Sequence, residues 1–355
     1  MQSIYLNTAG TGLLSAEAIN AAKGFLEQAA INSTTAFHIW MEHNLPELRK
    51  DAATLFDANE NEVAFLPNFS FALSAVLQGL SGKLKKVLLY DADYPSLNMP
   101  FELGNFDIYK VKDTDGFHIS TKHIIERIQQ EKIEIVALSH VQFLTGYKVD
   151  IERIGNFCKE NGVVFIVDGT QTMGTTPVSF KQLPADVLIG SSYKWLNGGP
   201  GSATLLIKKD FIDKYPPAIA GFGSLDKSDG NHWKYTPSNL SFEPGHLNPT
   251  GLLQLHEGIK HKLRMGLEKI SQHNSALIQQ LHDRLLKTSF DIIGKEDLEN
   301  RLHILIFKVP KKVADRLQDA GFSITWRKDT IRVSPHYYNT EEEIEAFLSE
   351  VDKNS

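Results

Sequence analysis

Residues 86–90, 134–138, 163–167 and 187–189 are short apolar runs, and they constrain the fold of this chain more than any other feature. They are rich in Val, Ile and Leu and lack polar alternation, as strands buried on both faces do. Helical patterns lie between them, among them residues 121–131 and 150–161, the latter stopped at Asn161-Gly162. Repeated strand–helix units predict an α/β fold, a mostly parallel sheet with helices on both faces. Residues 203–207 read as one more strand, antiparallel and at the sheet edge. In such sheets ligands gather outside the carboxyl ends of the strands.

Two charged residues fall at those ends. Asp168 closes the run 163–167, and Lys194 follows the run 187–189 in Ser191-Ser-Tyr-Lys194-Trp-Leu-Asn-Gly-Gly-Pro-Gly201. A lysine among apolar neighbours loses hydration, which lowers its pKa and frees the neutral amine as a nucleophile. Alone, such a lysine reads as a surface residue after a strand, and the carboxylate at a neighbouring strand end shifts that balance. A lysine for a Schiff base and a carboxylate for a pyridinium nitrogen are what pyridoxal phosphate (PLP) requires of its protein.

Other segments suit the same ligand. Pro67-Asn-Phe-Ser-Phe-Ala-Leu73 follows the strand-like Glu62-Val-Ala-Phe-Leu66 and opens a helix. Free N–H groups and the dipole at a helix start attract phosphate, and Ser70 adds a hydroxyl; a plain N-cap is the competing reading. Tyr94, after the run 86–90, can lie on an aromatic ring. Gln171, just past Asp168, can donate to a ring oxygen.

The stretch from Gly221 to Pro249 is rich in Gly, Asn, Ser and Pro and reads as loop, and residues 251–289 read as a long helical region. A small α+β unit follows, with strands at 302–309, 322–326 and 330–333 and a helix at 312–320. A last helix opens with the capping box Thr340-Glu-Glu-Glu343. The length of 355 residues predicts two domains: a large one over 14–245, and a small one over 246–355 with residues 1–13 packed near it. A net charge of −6 is mild and predicts neither nucleic acid nor an anionic membrane as partner. The amino terminus lacks a signal-peptide pattern, and no apolar run reaches the ~18 residues that cross a bilayer. The single cysteine, Cys158, fits a reducing compartment, so the expected location is the cytoplasm.

From Tyr5-Leu-Asn-Thr-Ala-Gly10 to Ile331-Arg-Val-Ser-Pro-His-Tyr-Tyr-Asn-Thr340 the chain resembles the class V aminotransferase family of fold-type I PLP enzymes. That family includes cysteine desulfurases, kynureninases and isopenicillin-N-epimerase-like proteins. The resemblance implies a sheet of the seven-stranded type, PLP as cofactor, an amino-acid substrate and a homodimer with sites at the subunit boundary. It makes Lys194 the Schiff-base lysine, Asp168 the pyridinium partner and Gln171 the contact to the ring oxygen. Phe69 and Ser70 fall on the phosphate loop, Tyr94 on the stacking aromatic, and Gln142 where the family often has an Asn near the cofactor. Ser191 and Tyr193 match phosphate contacts, and Arg332 matches the arginine that clamps the substrate carboxylate, a task suited to its planar fork.

Two departures stand out. His246, in Phe242-Glu-Pro-Gly-His246, replaces a Thr that reaches the neighbouring subunit's phosphate. Cys158 lies in a helix pattern as a small buried hydrophobe rather than on a loop as a thiolate, so persulfide-forming desulfurase chemistry is not expected. The expected activity is a class V aminotransferase, with a lyase (kynureninase-like or C–S) or an epimerase as alternatives and a binding relic of the fold as the non-enzymatic one. Residues 139–146 and 192–201 look like kynureninase, whereas residues 331–340 look like the epimerase and aminotransferase branch. Gly10-Thr-Gly12 lacks the third glycine of a dinucleotide loop, and His256-Glu257 with His261 lacks zinc-helix spacing, so no metal is expected.

Overall fold

The computed structural model describes residues 3–226 and 234–353. A short amino-terminal strand, β1 (Ile4–Tyr5), precedes a central sheet. That sheet holds β2 (Val63–Leu66), β3 (Lys86–Tyr90), β4 (Asp107–Val111), β5 (Ile135–Ser139), β6 (Val164–Asp168), β7 (Val187–Ser191) and β8 (Ala203–Ile207). Its order is β2-β8-β7-β6-β5-β3-β4. Neighbours from β7 to β4 are parallel, and β8 runs antiparallel to both β7 and β2. The antiparallel direction of residues 203–207 agrees with the sequence reading, but the edge position belongs to β2. From β3 the chain goes outward to β4 and then returns to β5 on the other side. The crevice beyond β3 and β5 is therefore the switch point of the sheet.

Alternate residues of each strand feed two separate cores, because side chains in a strand point to opposite faces. Leu88, Val136, Leu138, Phe165, Val167 and Leu188 pack under α2 (Leu45–Leu55), α5 (Thr121–Glu131), α6 (Ile151–Glu160) and α8 (Pro249–Met265). Val87, Leu89, Ala137, Ile166, Val187 and Ile189 pack under α3 (Phe69–Leu80), α4 (Pro95–Leu103) and α7 (Lys209–Lys214). Burying each such Val, Leu, Ile or Phe side chain contributes about 1.5–3 kcal/mol. The long helix α1 (Ala16–Ile39) lies along α8.

A third core joins α9 (Leu267–Leu285), β11 (Leu305–Lys308), α10 (Lys311–Asp319), β14 (Thr330–Val333) and α11 (Glu341–Asp352). Leu6 of the amino-terminal segment is buried in it, and β1 pairs with β12 (Phe322–Ser323). Between β12 and β14, β13 (Thr325–Arg327) completes a three-stranded sheet with β11 and β14. The helical region read at 251–289 is two helices, parted at Gly266, whose φ of 84° breaks the backbone ladder. The predicted capping box is present: Thr340 Oγ1 accepts from Glu343 N, and Glu343 accepts from Thr340 N. No helix among the described residues is long and apolar enough to cross a membrane.

The stretch from Gly221 to Pro249 is only partly irregular. A short hairpin pairs β9 (Leu225–Asp226) with β10 (Lys234–Tyr235), and residues 227–233 lie outside the described residues. Its second half seals the open edge of the sheet. Asn239 Nδ2 and Arg49 Nη1 donate to the Val63 carbonyl (2.7 and 2.6 Å), and Glu243 Oε1 accepts from Phe65 N (2.8 Å). Arg49 and Glu243 meet in a bidentate pair at 2.9 and 2.8 Å, both nearly buried. The outer backbone groups of β2 thus find side chains instead of another strand. Glu243→Ala would strand the Arg49 guanidinium and the Phe65 amide, which costs about 3–5 kcal/mol for a buried pair broken on one side. Urea denaturation should show that loss as a lower midpoint at unchanged slope.

Candidate active site

Lys194 sits on a tight turn just after β7. Gly198 N bonds to the Ser192 carbonyl at 2.9 Å, Asn197 N to the Lys194 carbonyl at 3.0 Å, and Asn197 takes a left-handed φ of 55°. Two glycines let other backbone close on the turn. A Cβ on Gly12 would run into the Lys194 carbonyl, and one on Gly258 of α8 into the Leu196 carbonyl. Gly12 N also donates to the Tyr193 carbonyl (2.8 Å), so the Gly10-Thr-Gly12 segment serves close approach. From behind, fully buried Lys262 donates to the Asn197 side chain, and His336 Nε2 donates to the Trp195 carbonyl at 3.0 Å.

Lys194 is 6 % exposed, and its amine makes no hydrogen bond to the described residues. Burial draws its pKa down to about 8, with Arg332 pushing the same way and Asp168 opposing. Its Nζ lies 5.4 Å from the centre of the Tyr94 ring and 5.9 Å from that of Tyr193. Asp168, at the end of the adjacent parallel strand, makes no direct ion pair with it. Burial lifts the Asp168 carboxyl to about 6 against the donors from Thr170, one of them the Thr170 amide at 2.8 Å.

Tyr94, Tyr193, Ser191, Gln142 and Gln171 of the sequence candidates lie around this pair. Tyr94 caps α4, and its amide donates to Asp93 (2.8 Å). Gln142, beyond β5, also donates to Asp93 (3.4 Å). Gln171 is buried, with its amide nitrogen 3.2 Å from the Ala9 carbonyl and its oxygen accepting from Trp195 Nε1 (2.7 Å). Ser191 ends β7 and donates its amide to Thr170 Oγ1 (3.1 Å), and Tyr193 is half-buried. Phe69 and Ser70 open α3 behind the cap Asn68. The Phe69 ring packs in a sheet core. His246 is exposed, touches the Phe37 ring edge-on at 6.1 Å, and shares with Ser70 a cavity of about 550 Å³.

Arg332 comes from β14 on the other side. It is 7 % exposed, and burial lowers its pKa to about 10. Nη1 donates to the Phe143 carbonyl (2.6 Å) and Nη2 to Asn7 and Thr325 (3.3 and 3.2 Å). No carboxylate of the described residues pairs with it, and its Nε is buried without a partner. A buried cation of this kind is costly unless an anion joins it.

The sequence reading passed over Asp93, Ser139 and Thr170, which hold the site together. The signal for Asp93 was at hand, a charged residue directly before Tyr94 and just past an apolar strand. PLP fits the groups left open here. Ser192 Oγ is buried without a partner, and the Phe69 and Ser70 amides find no acceptor among the described residues, as a phosphate site requires. Arg332 offers a place for a carboxylate and Lys194 an unengaged amine. Among the described residues no cluster could hold a metal ion, and His256 instead pairs with Asp51 at 2.8 Å.

The profile of the family described as Aminotransferase class-V matches residues 4–347. The chain belongs to that family. Class V enzymes are PLP-dependent, and the fold agrees: a C-DES mutant solved with glycine covalently linked to its PLP cofactor superposes with a TM-score of 0.88, at 20 % identity over 98 % of this chain and 95 % of that one. A probable cysteine desulfurase of Pyrococcus abyssi is 27 % identical over 97 % of this chain and 92 % of its own length. A kynureninase of Pseudomonas fluorescens is 28 % identical over 53 % of this chain and 46 % of its own.

The depressed Lys194 pKa has a measurable outcome. In cofactor-free protein, the rate at which Lys194 combines with PLP, trapped by borohydride, should climb with pH and level off above about 8, where the amine is already neutral. A rate still climbing toward the ordinary lysine value of 10.5 would show an amine that the fold leaves solvated.

Proposed function

We propose that this class V enzyme is a PLP-dependent lyase that breaks a bond at Cβ of an amino acid and releases the leaving group to solvent. The carrying observation is the juxtaposition of Lys194 and Asp168, buried at neighbouring strand ends, with the unpaired Arg332 facing them. The relatives named cysteine desulfurase and kynureninase favour bond cleavage over amino transfer. Release to solvent follows from the only cysteine. Cys158 lies fully buried in α6, packed under the sheet, where burial pushes its thiol up to about 12. A neutral, enclosed thiol is a poor acceptor of sulfur.

Each residue has a task in this reading. Arg332 grips the substrate carboxylate through its planar fork. Lys194 carries the cofactor and then, as a neutral amine, takes the proton from substrate Cα. In this reading the resulting ammonium returns a proton to the group departing from Cβ. Asp168 holds the ring nitrogen in its protonated form, and Tyr94 supplies a flat face for the ring. PLP, when bound, supplies the electron sink for the broken Cα–H bond.

Product analysis decides the reading. With amino acids bearing a thiol or a disulfide at Cβ, or an aryl ketone whose acyl group takes up water and leaves as the carboxylic acid, the loaded enzyme should release the leaving group repeatedly without an added keto acid. Turnover only in the presence of a keto-acid acceptor would make it an aminotransferase. Cys158→Ala should keep its full rate, whereas loss of sulfur release in that variant would put the thiol back into the reaction.

We further infer a homodimer in which the Ser70–His246 cavity faces the partner. Its wall is mostly apolar and carries Phe71, 63 % exposed, with Pro67, Pro244 and Leu247. In that arrangement His246 donates to phosphate in place of the usual Thr. Sedimentation should find a dimer, and His246→Ala should weaken PLP binding. A competent monomer, or unchanged affinity in His246→Ala, would count against it.

A further inference from the structure

A chain of buried hydrogen bonds runs from the third core to Gln171, and its polarity is fixed at every joint. His336, after β14, is fully buried, and its Nε2 faces the Trp195 carbonyl at 3.0 Å. A carbonyl only accepts, so Nε2 carries the hydrogen; burial holds the ring neutral, which leaves Nδ1 bare. Nδ1 accordingly accepts from Asn274 Nδ2 of α9 at 3.1 Å. The rings of His336 and Trp195 also meet edge to face, their centres 5.1 Å apart. Trp195 is itself fully buried and donates its Nε1–H to Gln171 Oε1 at 2.7 Å.

Two neighbours leave the Gln171 amide a single orientation. Its nitrogen lies 3.2 Å from the Ala9 carbonyl, and its oxygen meets the Trp195 indole. An indole N–H only donates and a carbonyl only accepts, so a turned amide would set N–H against N–H and oxygen against oxygen. Each buried group left unpaired in that way is costly. The indole bond is the shorter of the two and anchors the oxygen end. Held so, Gln171 keeps a second N–H that finds no acceptor among the described residues. The ring oxygen of PLP is a group that would accept it.

We propose that Trp195 is a positioning residue: by holding the oxygen of Gln171, it keeps the free N–H of that amide on the ring oxygen of PLP. This rests on the reading of Gln171 as the ring-oxygen contact and of Lys194 as the residue that carries the cofactor. A donor at the ring oxygen draws charge from it and weakens its hold on the proton shared with the Lys194 nitrogen. The pH at which the Lys194-bound cofactor loses that proton and changes colour is thereby kept low.

Trp195→Phe keeps a ring and removes the N–H, which leaves the Gln171 oxygen buried without a donor, so the amide must turn or recede. The colour midpoint of the loaded protein should rise by about one pH unit, a roughly tenfold gain in proton affinity. Gln171→Leu should raise it at least as far, and Trp195→Phe added to Gln171→Leu should raise it no further. A midpoint that Trp195→Phe leaves unmoved, or moves equally with and without Gln171, overturns the proposal, since a ring that merely packs acts on either background. An unmoved midpoint in Gln171→Leu would instead sink the reading of Gln171, and with it the role given to Trp195.

Cofactor-free protein gives a second readout. Of the four tryptophan indole N–H signals in ¹⁵N spectra, the one absent from Trp195→Phe should lie downfield in the wild type and move upfield in Gln171→Leu. A signal that does not move overturns the proposal. Failure of PLP to attach at Lys194 would sink the functional reading, and the indole signal would still report whether Trp195 holds Gln171. Should Trp195→Phe not fold, Gln171→Glu decides: its carboxylate still accepts from the indole but has no N–H to give. The indole signal should then stay downfield while the colour midpoint rises, and an upfield signal or an unmoved midpoint overturns the proposal.

Discussion

Dehydration of two opposite charges that do not touch is the condition on which the rest of this structure depends. Lys194 and Asp168 are each 6 % exposed and each shifted toward its neutral form, by burial in both cases. A direct ion pair would restore both charges and leave neither group free to react. The architecture prevents one by giving each side chain its own strand end and its own turn. The turn under Lys194 is clamped by Gly12 and by Gly258 of α8, so two distant parts of the chain fix where the amine can go. Effective catalytic geometry depends on supports of this kind, since small misplacements are costly.

Much of the fold was legible because its signals are local. The apolar runs at 86–90, 134–138, 163–167 and 187–189 became β3, β5, β6 and β7 with small shifts at their ends. Thr340 and Glu343 cap each other within one turn, and Asn161-Gly162 stops α6 where the sequence places it. The position of residues 203–207 was misread because strand order is a long-range property. Nothing within β8 reveals that β2, far earlier in the chain, lies outside it. The break at Gly266 was similarly hidden, since an isolated glycine in a helical pattern is often tolerated.

The site divides along the same line. Lys194 and Asp168 stood out because a charged residue ending an apolar strand is a local anomaly. Asp93 shares that feature but was eclipsed by Tyr94 next to it. Its significance depends on Ser139 and Gln142, which reach it only once β3 and β5 are neighbours. Trp195 and Gln171 show the same limit, because their mutual hydrogen bond joins two loops that the sequence presents separately. Reading Arg332 required the fold as well: an unpaired guanidinium is ordinary on a surface and informative only when buried.

The sealed edge of the sheet bears on how this chain is made. β2 emerges from the ribosome early, yet its sheet partner β8 and its outer cover, Asn239 and Glu243, are synthesised more than a hundred residues later. At ordinary translation rates that interval is roughly ten seconds or longer. Throughout it the apolar segment Val63–Leu66 has unpaired backbone on both sides, the form of strand most ready to join another chain. The burden of protecting it falls on cellular chaperones or on the neighbouring helices α2 and α3, which are already complete. Truncated products ending before residue 239 should therefore be the aggregation-prone species of this protein, even where every helix around the strand is intact.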